Sequence, residues 1–420
     1  MTDGQGQNWP RLGLRAVHAQ AVEILRSRAL RAALGVFLVL RILTLVAALL
    51  LTRDLSAARP DLLRFNSLTL EGNPSGLTYY ASLPSASPFA QIVEPWRRYD
   101  TAWYILIAMQ GYLPDTRIVF PPLYPTLIRL VEQVSGGNFV LAALIVSNVF
   151  CVSAFYLFYR LAAREWGDPI ATRALILLAA FPTGFFLVAG YTESLFLTFT
   201  LGAFLAAFAR RWWLAGGLAF LASLTRLQGL VLCLPLAWIA YVHCREIGWR
   251  AQFTRLPVLL GAPVGTLAFL LFLTYNQLGS LEQAYADGWK LASHLPWDSV
   301  VTYIQRLFVG GTVAHEHNNA LALLLMALLG VVVWRRFSRV YAIYVGSTLL
   351  VILVRYHFGE GVEGAQFESA IRYVLLLFPC FIAAAALLNR HRRAFWLIVG
   401  GLGLLQGVLL NDFVHWVWVA

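Results

Sequence analysis

The sequence predicts an all-α protein that crosses a membrane many times, and three observations carry that prediction. Hydrophobic residues make up 59% of the 420-residue chain, with a mean hydropathy of +0.68. Only 13% of residues are charged, against roughly 25% in soluble domains. Apolar runs of about 16 to 26 residues recur from Leu30 to the C-terminus. About 20 such residues span a bilayer as a helix, whereas barrel strands need only about 10 and alternate in polarity.

The first run, 30–52, follows a polar, arginine-bearing segment. It is too long for a signal peptide and lacks a small-residue cleavage site, so it is expected to stay as the first span. Residues 1–29 are expected in the cytoplasm, with 11–25 lying on the membrane surface as an amphipathic helix. Further spans are expected at 138–160, 170–189, 191–209, 212–226, 228–244, 255–275, 318–335, 338–355, 370–388 and 394–414, about eleven in all. The segment VFPPLYPTLIRLVEQV, 119–134, is short and opens on a proline pair.

Arginine placement decides how 119–134 is treated, because cytoplasmic loops carry the excess of Lys and Arg. If it crossed the membrane fully, every later loop would flip and the arginine clusters would land outside. If it is re-entrant or interfacial, the clusters Arg11 to Arg31, Arg160/Arg164/Arg173, Arg210/Arg211, Arg245/Arg250/Arg255, Arg335/Arg336/Arg339 and Arg390/Arg392/Arg393 all face the cytoplasm. Those are about nineteen of the 32 basic residues. The second arrangement is the expected one.

It makes residues 1–420 a single integral membrane domain with two large outer segments, 53–137 and 276–317, and a short acidic one at 356–369. The net charge of +11 is dispersed over helix ends and marks no nucleic-acid surface. Cys151, Cys233, Cys244 and Cys380 sit in or beside apolar segments without CxxC spacing and are expected to be free thiols.

On this topology Asp100, Glu193, Arg226, Arg355 and Arg372 reach the same outer face, although they are scattered over some 270 residues of sequence. Asp100 lies in PWRRYDTAWYILIAMQGY, 95–112, beside Tyr99, Trp103 and Tyr104. A carboxylate in a water-poor aromatic pocket can take a proton from a hydroxyl; the plainer alternative is an exposed loop acid beside interfacial aromatics. Glu193, after Tyr191 and Thr192 in GYTESLF, either complements a helix dipole with Thr192 as cap or orients a catalytic group.

Arg226, next to Gln228 in LTRLQG, turns two spans at the outer face, where positive-inside bias gives it no reason to be. A guanidinium presents a rigid fork matching phosphate geometry, so a lipid phosphate is the obvious anion. Arg355 in VRYH and Arg372-Tyr373 in AIRYVLLLFP repeat the pattern; the alternative for each arginine is pairing with Glu360, Glu363 or Glu368. Lys290, the chain's one lysine, sits in YADGWKLASHLPW and is a further candidate for phosphate, with Asp287, Trp289 and Trp297 on the same outer segment. His315-Glu316-His317 lacks a third ligand at a defined spacing and reads as a polar loop end, so no metal site is expected. No GxSxG, Walker or GxGxxG element occurs.

The stretch RYDTAWYILIAMQGYLPDTRIVFPPLYPTLIRL resembles the first-loop motif of the GPI mannosyltransferase 2 family, written Trp-Asp, an aromatic, Ile-Ala, Gly-Tyr, then Phe-Phe-Pro and Tyr-Pro. YTESLFLTFTLGAFLAAFARRWWLAGGLAFLASLTRLQG is similar to that family's central stretch, and IRYVLLLFP to a late Arg-Tyr…Pro element of its bacterial members. The blocks keep the family's order. Tyr99 stands where the family has tryptophan, and Leu227-Gln228 where it has Pro-Thr or Ser-Asn.

The resemblance implies a GT-C glycosyltransferase fold with a polyprenyl- or dolichyl-phosphate-mannose donor at the outer leaflet. It implies inverting, metal-independent transfer of the sugar to a hydroxyl of a glycolipid or other glycan acceptor, with no bound cofactor. By carry-over Asp100 is the general base and Glu193 its motif partner. Arg226, Arg355, Arg372 and Lys290 are then candidates for the donor phosphate, and Tyr99, Trp103, Tyr104, Tyr191, Gln228 and Tyr373 for the substrate pocket. The expected setting is a bacterial plasma membrane with the site on its extracytoplasmic face. A transporter or flippase of lipid-linked sugars, or a non-catalytic subunit of a glycosylation complex, are the rival readings.

Overall fold

The computed structural model describes residues 27–52, 92–247, 256–310, 312–358, 365–415 and 417–419. The amphipathic helix expected at 11–25, the outer segment as far as residue 91, and Glu360 and Glu363 lie outside the described residues.

In chain order the helices are α1 (Arg28–Thr52), α2 (Asp100–Gln110), α3 (Leu123–Glu132), α4 (Phe139–Trp166), α5 (Asp168–Ala180), α6 (Glu193–Phe208), α7 (Trp212–Thr225) and α8 (Cys233–Ile247). They continue with α9 (Leu256–Tyr275), α10 (Leu281–Trp289), α11 (Asp298–Val309), α12 (Ala314–Arg336), α13 (Arg339–Leu353), α14 (Ala370–Tyr373), α15 (Phe378–Leu387) and α16 (Arg392–Val414). Two three-residue strands, β1 (Leu291–Ser293) and β2 (Arg355–His357), pair antiparallel with Leu291 opposite His357.

This is an all-α polytopic membrane protein. Among the described residues six helical stretches are long and apolar enough to cross a bilayer: α1, α4, Leu227–Arg245, Pro257–Tyr275, α12 and α16. The run expected as one span at 370–388 is instead two helical pieces, Ala370–Leu376 and Phe378–Leu387, bent by 78°. The other four expected runs are helical over less than a bilayer thickness. The 170–189 run is helical in α5 only to Ala180, and α6, α7 and α13 hold 16, 14 and 15 residues.

Burial explains why they can stop short. Backbone may leave the helix at membrane depth where protein covers it, and the loop following α5 is buried throughout, from Phe181 to Thr192. The segment 119–134 contains α3, ten residues long. At 1.5 Å per residue that is about 15 Å, half of the roughly 30 Å hydrocarbon core.

Helix α6 is apolar on every side and almost wholly buried, as a helix surrounded by others should be. Beside it α7 and α9 approach backbone to backbone at Gly216 and Gly261, where a Cβ on either would collide with the partner's main chain. Small residues at crossing points permit this approach in membrane helices.

The ends of the bundle differ. At one, Arg28 pairs with Asp168 at 3.0 Å, Arg173 donates to Leu388 O, Tyr341 OH donates to Glu165, and Trp166 packs on Phe337. The helix ends expected on the cytoplasmic side thus meet one another. Helix α4 leads away from them over 28 residues, about 42 Å, and at its other end Ser147 and Ala143 both meet Tyr124, the first layer under the pocket described next.

Candidate active site

Sequence places an acid at the head of α2 and the local chain aims it. Residues 94–99 are tied down before the helix begins: Arg97 pairs with Glu94 at 2.9 Å, Arg98 donates to Glu94 O, Arg97 O and Val414 O, and Trp96 is fully buried under the Arg41 guanidinium at 4.8 Å. Of the motif's two arginines, Arg98 therefore holds backbone and Arg97 holds the Glu94 carboxylate. Tyr99 then takes a positive φ of 51° with ψ −118°, rarely adopted by an aromatic residue, and Asp100 opens the helix as a buried carboxylate.

Glu193 opens α6 in the same manner, fully buried. Its helix start is braced by the loop before it. Thr101 donates to Gly190 O, a glycine whose Cβ would strike Thr101, and Ser147 donates to Tyr191 O. Thr192 makes no side-chain cap; its hydroxyl accepts from Arg226 at 2.9 Å and lies 3.4 Å from Tyr104 OH. The expected cap is displaced because a buried guanidinium is the stronger partner for that oxygen.

The arginines arrive from three directions. Arg226 ends α7 in extended conformation, followed by a turn in which Gly229 packs against the backbone of Ala222 and Ser223. Arg372 comes from α14, whose backbone is fixed where Asn319 accepts from Ile371 N and Thr183 donates to Ile371 O. Arg355 comes from β2, held by its pairing with β1.

The charges interlock. Arg372 Nη2 lies 2.8 Å from Asp100 Oδ2 and its Nε 2.8 Å from Glu193 Oε1; Arg226 Nη1 donates to the same Glu193 oxygen at 2.7 Å. All three guanidiniums surround the ring of Tyr373, with Arg355 at 4.8 Å, Arg226 at 5.1 Å and Arg372 at 5.4 Å. Among the described residues no carboxylate lies within ion-pair distance of Arg355, and its buried Nε has no hydrogen-bond partner there. Among the described residues, Arg355 is thus the one of the three guanidiniums without an ion-paired carboxylate.

These groups line one pocket with Tyr104, Gln228 and Trp289. On its other side stand Glu368 and His357, with Glu368 Oε2 3.1 Å from His357 Nδ1. Burial, reinforced by Asp100, pushes the Glu368 carboxyl up to about 7 against the pull of Arg355 and Arg372. Burial and Arg355 hold the His357 imidazole down at about 3. Near neutral pH their contact therefore joins a carboxyl to an uncharged ring.

Of the residues anticipated from sequence, Asp100, Tyr104, Arg226, Gln228, Arg355, Arg372 and Tyr373 line this pocket, and Glu193 underlies it through its two arginines. Lys290 does not line it. It ends α10 in the left-handed conformation, and the neighbouring Trp289 supplies the wall. Trp103 stacks on Phe120 behind that wall, Tyr191 lies under Arg372 at 5.1 Å, and Tyr99 meets Trp418 edge-on at 4.7 Å. Tyr285, His357 and Trp418 were not anticipated as pocket residues, and Glu368 only as a neutraliser of arginine. A tryptophan near a span end carries no mark in sequence that separates it from ordinary interfacial anchoring.

The Glu316 carboxylate, expected at a polar loop end, is fully buried and structural. It accepts from Gln366 N at 2.8 Å and lies 3.4 Å from Arg306. His317 meets Tyr303 OH.

Fold and site together define a many-helix membrane protein with a cationic, aromatic-walled pocket at one end of the bundle. Comparison with known proteins agrees with the motif resemblance. The chain is similar to GPI mannosyltransferase 2 of Schizosaccharomyces pombe, 26% identical over 200 residues that cover 46% of this chain and 43% of that protein. It is similar to GPI alpha-1,6-mannosyltransferase 2 of Rattus norvegicus, 28% identical over 158 residues, 35% of this chain and 32% of the relative. The Mus musculus protein of the same name is also 28% identical over 158 residues. The aligned stretches thus span less than half the length of these relatives. No family model matches the chain.

Proposed function

We propose that this protein is a glycosyltransferase that moves a sugar, mannose on the names its relatives carry, from a polyprenyl- or dolichyl-phosphate carrier to a hydroxyl of a glycolipid or related acceptor. The observation that carries the reading is the cluster of three guanidiniums around Tyr373, with Arg355 outside any ion pair among the described residues, facing the same pocket as Asp100. The donor's phosphodiester, and the lipid phosphate monoester that departs from it, are anions that such a fork of donors fits.

In the proposed step the acceptor oxygen attacks the anomeric carbon, forming the new C–O bond as the bond to the lipid phosphate breaks on the opposite side. Configuration inverts. Negative charge grows on the departing phosphate, where Arg355 and Arg226 stabilise it. The hydroxyl proton passes to Asp100, whose Oδ2 is fixed by Arg372, leaving Oδ1 to receive it. Glu193 holds Arg226 and Arg372 in place through a single oxygen. The lipid phosphate is already a good leaving group once its charge is neutralised, so the reading requires no metal. It sets the pocket on the extracytoplasmic face, opposite the end where the arginine-rich termini of the spans gather.

The test is to incubate purified protein with radiolabelled polyprenyl-phosphate-mannose and membrane lipids, with and without chelator. Label appearing in a glycolipid in both conditions supports the reading. Label that never leaves the donor overturns it, and label lost with chelator overturns its metal-independent form.

A further inference from the structure

The pocket has a second wall that the transfer step leaves unused. Glu368 points its carboxylate there with 28% of the side chain exposed, while its partner His357 is buried behind it at 2%. Among the described residues no guanidinium lies within ion-pair distance of Glu368, although three stand across the same pocket.

The backbone around this acid is strained on both sides. Phe367 has φ 60° and Ser369 φ 64°, both left-handed and neither glycine. Such a residue is strained and persists only where the surroundings over-determine it. Here they do: buried Glu316 accepts from Gln366 N, Gln366 Nε2 donates to His357 O at 2.7 Å, and buried Asn319 accepts from Ile371 N. Three buried polar side chains hold the segment so that one acid faces the pocket.

We propose that Glu368, aimed by the strained segment that carries it, forms the acceptor subsite and takes hydroxyl groups of a neutral glycosyl head group, resting on the glycosyl-transfer reading above. Above pH about 7, where it gives up its proton, the Glu368 carboxylate accepts two hydroxyl hydrogens on its two oxygens, which suits a vicinal diol. It repels a phosphate, so the donor's charged end is directed to the arginine wall and the acceptor to this one. The indole rings of Trp289 and Trp418 border the same pocket and offer apolar faces to the C–H side of a sugar ring. His357 lies against Glu368 at 3.1 Å on the same wall.

The experiment follows tryptophan fluorescence of the full chain in lipid nanodiscs, titrated with octyl α-D-mannopyranoside below its micelle concentration and, separately, with octyl phosphate. Wild-type protein should respond to both. Glu368→Ala should weaken the mannoside about tenfold or more, the range for hydrogen bonds to a charged group, and leave octyl phosphate unchanged or tighter. Glu368→Gln, which keeps the shape and one acceptor oxygen, should fall between.

No response of the wild type to mannoside, unchanged mannoside affinity in Glu368→Ala, or weakening of octyl phosphate would each overturn the subsite. So would a Glu368→Gln enzyme with lowered kcat and an unaltered KM for the mannoside, because that pattern assigns the carboxylate to proton transfer. Mannoside binding that depends on Glu368, in a protein that transfers no sugar from a polyprenyl-phosphate donor, would remove the function proposed above and leave the subsite standing.

Discussion

Asp100 and Arg372 are joined at 2.8 Å across 272 positions of sequence, and the same guanidinium reaches Glu193 at 2.8 Å. One arginine thus fixes both motif acids, one at the head of α2 and one at the head of α6.

Asp100→Asn keeps the side chain's size and removes its capacity to hold a proton as a base. Transfer should fall by about 10²–10⁴, the usual contribution of a general base. Affinity for the lipid-phosphate donor should persist, because Arg226 and Arg355 are untouched. Turnover assays beside a donor-binding titration check both halves; near-normal turnover would dismiss Asp100 as the base.

The arginines should not behave alike. Arg355 has no carboxylate partner among the described residues, so Arg355→Ala should weaken the donor about tenfold or more with little change in unfolding stability. Arg226 is spoken for by Glu193 and Thr192. Arg226→Ala should also lower stability, by less than the roughly 3–5 kcal/mol of a fully orphaned buried charge, because Arg372 still pairs with Glu193. Thermal or denaturant unfolding of the two variants, alongside donor titrations, separates an anion-binding arginine from a structural one.

Much of this arrangement was legible in the sequence, because its signals are physical. Arginine bias fixed which ends of the spans share a side, and that alone brought Asp100, Glu193, Arg226, Arg355 and Arg372 to one face. What sequence could not carry was the allocation of partners. Arg226, Arg355 and Arg372 look equivalent as outer arginines, and only packing shows that two are held by Glu193 while the third is not. The β1–β2 pair that delivers Arg355 and His357 is three residues long, too short for any alternation to register. The bend at 370–388 was hidden for a related reason: AIRYVLLLFP is apolar enough to read as a continuous span, and Pro379 at the start of α15 is compatible with a helix beginning there.

Glu368 gives the protein a pH dependence with a definite sign. Its folded-state value of about 7 lies above the 4.5 of an unperturbed glutamate. Between those values the folded state holds the proton and the unfolded state does not, so this group's contribution falls as pH rises from about 4.5 to about 7. Glu368→Gln cannot titrate and should flatten the stability profile over that window. Unfolding midpoints of both proteins across it provide the check; parallel profiles would show that the group does not titrate there.

The aim of Glu368 should depend on a residue that never meets the ligand. Glu316 is wholly buried, accepts from the backbone of Gln366 and pairs with Arg306, so it anchors the strained segment two residues before Glu368. Glu316→Ala removes both partners at once and should cost about 3–5 kcal/mol. With the anchor gone, Phe367 and Ser369 are free to leave their left-handed conformations, and the carboxylate between them swings out of position. Mannoside affinity should then fall although Glu368 is intact, while octyl phosphate, held on the opposite wall, binds as before. Glu316→Gln retains an acceptor for Gln366 N and should restore part of the affinity; equal loss in both variants would mean that charge on residue 316, rather than the anchoring hydrogen bond, is what the pocket requires.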